Sequence, residues 1–245
     1  MQDAGVERKR VMTGPLGAIV LAVVLTFSPL LTTVSFLTPV PYLLSPESVV
    51  LENEHVRVTR NRALCVLPIP GCEQRIIVAL GPIEMQTMTA VANPAQGALG
   101  GVVGGTITPR RTLQRGDVVV FGAHESYRRP DTGEFLEVTI RRSRPPIKSP
   151  SELIPPDKNS ILFDGDDFFI FEEKLDPGDT RARHSHRERV VIVINKTRLQ
   201  QWPDGAPELF RDQIPDDVRF NPPVVHVVKT VGDLPLRNIV IEFKR

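Results

Sequence analysis

The chain has 245 residues, with 30 Lys and Arg set against 29 Asp and Glu, for a formal net charge of +1. A balance this even, with no basic stripe interleaved with aromatics, excludes a nucleic-acid binder. Twenty-three prolines spread along the chain exclude long helices from the folded part, because each removes a backbone donor and clashes with the preceding turn. Short strands joined by turns are the expected material, in one large all-β domain or two of about 100 residues.

Residues 1–45 differ from the rest. Glu7-Arg8-Lys9-Arg10 is a charged cluster, and no charge follows it until Glu47. A helix over residues 14–37 would be long enough to cross a hydrocarbon core of about 30 Å. The basic cluster before it predicts an inside N-terminus, with the bulk periplasmic or otherwise extracytoplasmic, as in a single-pass membrane protein. The alternative is a cleaved signal peptide with Leu16–Phe27 as its apolar core and Thr33 and Ser35 near the cleavage site, which would give a secreted protein. In such an oxidising compartment Cys65 and Cys72 could form a disulfide, since Pro68, Pro70 and Gly71 favour a chain reversal between them; two buried thiols are the other reading.

From residue 46 onward, β-branched runs alternate with turn signals. VRVTR, IIVAL, DVVVF and FLEVTIR come first, then FFIFEEKL, VVIVI, VVHVVK and NIVIEF, with PDTG, DPGD and PDG as reversals. Ala92–Gly105 is a Gly-rich loop or hairpin, and the proline-rich stretch 143–159 reads as a linker between domains 46–142 and 160–245. The two domains resemble one another. His124–Arg142 overlays His226–Lys244 at an offset of 102, QRIIVAL overlays ERVVIVI at 114, and Leu51–Val58 overlays Phe163–Ile170 at 112. Such drift is expected where loops change length and strands do not.

The second half carries the chemistry. After the Pro177-Gly178 turn comes His184-Ser185-His186, and residues two apart on a strand share a face. Forty residues on, His226 adds a third imidazole from another strand, so three nitrogens could hold one metal ion and leave other positions open. In the first half Pro70-Gly71-Cys72 stands where the His pair would be, and His124 is alone.

These residues resemble the cupin superfamily. Gly178, His184 and His186 match its first motif; in its second, Asp216 stands at the glycine, Pro222 fits, His226 falls one residue early and Thr230 replaces the asparagine. The resemblance implies an all-β fold of two cupin-type, jelly-roll barrels following the N-terminal transmembrane segment. It also implies a divalent metal on His184, His186 and His226, with iron(II) favoured over zinc, manganese or nickel. The superfamily's glutamate ligand would fall at Val190 or Val191, which cannot bind metal. Glu188 is instead expected at the barrel mouth. Arg181, Arg183 and Arg187 either attract an anionic ligand, with Arg183 and Glu188 as ligand-binding candidates, or pair with Asp176, Asp179 and Glu188. Glu172 and Glu188 are the nearest candidates for a general base. Two functions follow: a metalloenzyme acting on a small molecule, of oxygenase or isomerase type, or a non-catalytic envelope scaffold for a ligand or partner. A monomer or a homodimer is expected.

Overall fold

The computed structural model describes residues 48–61, 74–90, 105–122, 125–128, 130, 132–141 and 158–244. The segment 14–37, Cys65, Cys72 and His124 lie outside these residues, as do most of the Gly-rich stretch and of the linker. Among the described residues, no helix is long and apolar enough to cross a membrane.

The second half shows the fold most fully. Its strands are β10 (Asn159–Asp164), β11 (Phe168–Leu175), β12 (Thr180–His186), β13 (Arg189–Val193), β14 (Thr197–Pro203), β15 (Leu209–Gln213), β16 (Val218–Asn221), β17 (Val224–Thr230) and β18 (Leu236–Phe243). They form two antiparallel sheets, β10-β11-β18-β13-β16 and β12-β17-β14-β15. Strand β11 pairs with β18, β12 with β17, β13 with β16 and β14 with β15. That nesting of first with last, folded inward to a central hairpin, is a double-sheet jelly roll, the architecture that cupins use.

The first half repeats it. Strands β1 (Ser48–Glu52), β2 (Val56–Arg60), β3 (Arg75–Ala79), β7 (Val118–Phe121) and β9 (Phe135–Ile140) form the sheet β1-β2-β9-β3-β7. Opposite it, β4 (Ile83–Ala90) pairs with β5 (Gly105–Ile107), β6 (Arg111–Leu113) and β8 (Glu125–Arg128). Arg75 pairs with Phe121 and Thr139 as Arg189 pairs with Asn221 and Glu242. This register corrects one sequence overlay. Val56 faces Ile140 as Phe168 faces Phe243, so β9 matches β18 one residue further along than the offset of 102. A one-residue slip reverses every side chain, and only the corrected register puts Leu136, Val138 and Ile140 on the face of Ile239, Ile241 and Phe243.

Those residues belong to one core shared by the two halves. Val56, Val58, Ile76, Val78, Leu136 and Val138 pack against Phe168, Ile170, Val190, Ile192, Ile239 and Ile241. The two five-stranded sheets therefore meet through alternate residues, and the intervening residues point into each barrel's own interior. The first barrel's interior is filled by Ile77, Ile83, Met85, Val119, Phe121, Tyr127 and Phe135.

The junction also explains the aspartate at the motif's glycine position. The turns before β7 and β16 are built alike, with Gly116 N–H donating to Ala79 O and Asp216 N–H to Val193 O. Gly116 has φ 88° and Asp216 φ 68°, a left-handed conformation that suits glycine and costs a side chain about 1–2 kcal/mol. The Asp216 carboxylate in return accepts from Arg115 Nη2 at 2.6 Å and lies 3.7 Å from Arg60, both from the other half. Arg115 also donates to Ile194 O from Nε and Nη2. Loss of a hydrogen-bonded charge typically costs about 1.5–3 kcal/mol. Asp216→Ala is expected to lower the stability of the protein by about 2 kcal/mol in chemical denaturation, and Asp216→Gly by clearly less, because glycine also relieves the backbone. Equal losses would mean that the left-handed turn stores no strain.

Candidate metal centre

The turn Asp176–Asp179 launches β12. Asp179 N–H donates to Asp176 O at 3.0 Å, and Gly178, at φ 84°, takes the third position, as a type II turn requires. The pairing of β12 with β17 then slips between Arg181 and His184. This bulge adds one residue to β12, so that Arg181 and His184 both face inward although they are three apart. Downstream the register places His184 directly opposite His226. Ring centroids lie 4.8 Å apart for His184 and His186, 4.7 Å for His184 and His226, and 5.5 Å for His186 and His226. One nitrogen from each ring falls within 4.8 Å of the other two.

The proton arrangement follows from the partners. His184 Nδ1 lies 2.8 Å from Ala182 O, and a carbonyl only accepts, so Nδ1 carries the hydrogen and Nε2 a lone pair. That lone pair faces His186 Nε2 at 3.0 Å. His186 Nδ1 lies 2.8 Å from Glu242 Oε2, while Glu242 Oε1 accepts from Arg187 N–H at 3.0 Å. With a proton on Glu242, the carboxyl donates to His186 Nδ1 and His186 Nε2–H donates to His184. When Glu242 gives up that proton, His186 Nδ1 donates to it and the two Nε2 lone pairs are left facing each other. That arrangement is stable only around a cation. His226 Nδ1, also buried, has no hydrogen-bond partner among the described residues.

Burial sets the charges. It holds His186 down to about 2, aided by Arg189, and His226 down to about 3, aided by the neighbouring histidines. His184 is lowered by burial and by Arg181. Glu242 is pushed up to about 7 by burial, against the pull of Arg187 N–H and Arg189. Burial opposes ionisation of Glu173 too, but Arg181, whose Nη1 donates to it at 2.6 Å, and Asn238 Nδ2 at 3.2 Å hold it below the ordinary glutamate range. The three rings are thus neutral ligands, those of His184 and His186 with oriented second nitrogens, the state in which imidazole binds metal. The donor set fits a divalent transition ion.

A cavity of about 210 Å³ adjoins the histidines, lined by His186 and His226 together with Glu173, Arg189, Arg211 and Asn238. Neither Arg183 nor Glu188 lines it. Arg183 is exposed and pairs with Asp204 on the outer face. Glu188 follows the end of β12, so the strand alternation no longer directs it inward, and it lies 3.8 Å from His55 of the first half. Of the arginines expected to pair with Asp176, Asp179 and Glu188, Arg181 pairs with Glu173 and Arg183 with Asp204, while Asp179 pairs with Lys158. Glu172 faces Arg237 and Lys174 rather than the cavity; its neighbour Glu173 has the inward position. Glu242 was legible only as a lone carboxylate within the apolar strand NIVIEF.

No protein-family model and no curated protein matches the chain. AerE from Microcystis aeruginosa is similar at 15% identity, over 80% of this chain and 96% of that one, with a TM-score of 0.48. A cupin 2 conserved barrel domain protein from Leptotrichia buccalis shows 10% identity over 79% and 86%, with a TM-score of 0.46. A variant of oxalate decarboxylase from Bacillus subtilis shows 14% identity over 81% and 75%, with a TM-score of 0.47. Strand order and register, rather than these likenesses, define two tandem cupin-type barrels here, the second with a polar interior.

The histidines make the metal-free protein acid-sensitive. Between their folded values and about 6.5, the unfolded chain binds protons that the folded chain does not, so their contribution to stability is lost as pH falls below 6.5. Glu242 opposes this between 4.5 and 7, where the folded chain alone holds its proton. His186 and His226 outweigh it, and His184 adds in the same direction. At about 1.4 kcal/mol per group and pH unit, the metal-free protein should lose about 2 kcal/mol per unit between pH 6 and 5 in urea titrations. His226→Phe should flatten that slope; an unchanged slope would place the acid sensitivity elsewhere.

Proposed function

We propose that this chain is a bicupin whose second barrel holds a divalent transition-metal ion on His184, His186 and His226 and presents it to a small molecule in the adjoining cavity. The observation that carries this reading is the convergence of three neutral imidazoles, His186 and His226 buried and His184 half-buried, with the Nε2 atoms of His184 and His186 at 3.0 Å. Imidazole donors without a carboxylate suit iron, zinc or nickel better than magnesium or calcium, and iron(II) is favoured ahead of zinc, nickel and manganese. Such an ion supplies Lewis acidity or binding of dioxygen. Glu242 orients His186 and gives up the proton that metal uptake displaces. The filled interior of the first barrel favours a structural role for that half.

Elemental analysis of the purified protein after loading with iron(II) or zinc should find about one equivalent, and the His184→Ala/His186→Ala double variant should retain almost none. Equal metal in both proteins, or none in the parent, would sink the assignment.

The N-terminal segment extends the proposal to location. The basic cluster at residues 7–10 and the uncharged stretch after it support an exported protein tethered through residues 14–37. Cell fractionation should recover the full-length chain with membranes; a shortened chain in the soluble extracytoplasmic fraction would favour signal cleavage instead.

A further inference from the structure

The cavity beside the histidines has a charge imbalance that the metal reading leaves unused. Three guanidinium groups line it, those of Arg189, Arg211 and Arg219, with Glu173 as the lining acid. Glu173 is committed to Arg181, and Arg219 Nε donates to Asp217 at 2.6 Å. Arg189 and Arg211 remain. Arg189 is 7% exposed, yet its Nη1 donates only to the carbonyls of Arg187 and Pro222, and it forms no ion pair among the described residues. Arg211 has neither a side-chain hydrogen bond nor an ion pair among the described residues, and its charge opposes that of Arg189, which Glu242 and Glu173 favour more strongly. Gln213, 2% exposed, lines the same space.

Two like charges facing one small space are unfavourable unless an anion joins them, and the rigid fork of arginine matches a planar carboxylate. Part of the lining is apolar, with Val191, Leu199, Leu209 and Val240. A bare inorganic anion would gain nothing from that wall, whereas the carbon skeleton of an organic acid would bury against it. The volume of about 210 Å³ is roughly seven waters' worth at ~30 Å³ each, enough for an acid of a few carbons.

We propose that the second barrel binds a small carboxylate, with its anionic group on Arg189 and Arg211 and its remainder in the space shared with His186 and His226. The proposal deepens the metal-centre reading by naming a substrate class for that cavity, but the arginines act whether or not metal is present.

Malonate, with its uncharged analogue malonamide as control, tests this by calorimetry on the full chain in chelator-stripped and zinc-loaded forms. Malonate should bind the stripped protein, malonamide should not, and Arg211→Gln should weaken malonate at least tenfold while leaving the melting temperature of the unliganded protein unchanged. Arg189→Gln should weaken malonate likewise while lowering the melting temperature; if it fails to fold, the exposed Arg211 decides alone. Equal binding of malonamide, or malonate binding unchanged in Arg211→Gln, would overturn the proposal. Malonate binding that requires zinc and ignores Arg211 would also overturn it while leaving the metal centre standing. Arginine-dependent binding in a protein that takes up no metal would support it and remove the metal centre.

Discussion

Face-to-face packing of the two five-stranded sheets governs the rest of the molecule. Because side chains alternate along a strand, committing Val190, Ile192, Ile239, Ile241 and Phe243 to the shared core commits Arg189, Val191, Asn238, Val240 and Glu242 to the second barrel's interior. The apolar seam therefore chooses which polar residues meet inside. The same seam serves the first barrel with a different result, although Arg75 and Glu137 are buried there too. There Phe121 stands where Asn221 stands in the second barrel, and Phe135 where Asn238 stands, and aromatic rings occupy the space.

Within the second barrel, burial acts twice. It withdraws the three imidazoles from water, so that none holds a proton near neutral pH, and it leaves Glu242 as the group that does. A site assembled from exposed histidines would have to shed protons to accept a cation. Here desolvation during folding has already removed them from the rings, and a single proton on the Glu242–His186–His184 chain stands in the place of positive charge. The bulge in β12 adds Arg181 to the same interior, where it neutralises Glu173 and keeps that carboxylate from competing as a ligand.

Much of this was legible in the sequence because it follows from short-range rules. The turn at Pro177-Gly178, the two-residue spacing of His184 and His186, and the strand carrying His226 each depend on local geometry, and the repeat showed in the strand runs. What escaped depends on register or on distant contact. The overlay of β9 on β18 slipped by one residue because FLEVTIR and RNIVIEF match loosely by composition, and only cross-strand pairing decides between the two faces. Glu242 lies 56 residues from its histidine partner, beyond any motif. Arg183 and Glu188 sit close to the histidines in sequence but lead elsewhere, Arg183 to the outer face and Glu188 to a chain turn facing the first half. Asp216, a departure from the motif on inspection, is the anchor that Arg60 and Arg115 grip from the other barrel.

The central claim is that one metal ion sits among three imidazoles, and anomalous diffraction from crystals loaded with zinc tests it most directly. A single strong peak is expected in the second barrel, about 2.0–2.1 Å from one nitrogen each of His184, His186 and His226, with Glu242 still within hydrogen-bond reach of His186 Nδ1. A peak bound by other residues, or none while the three rings keep their present positions, would contradict it.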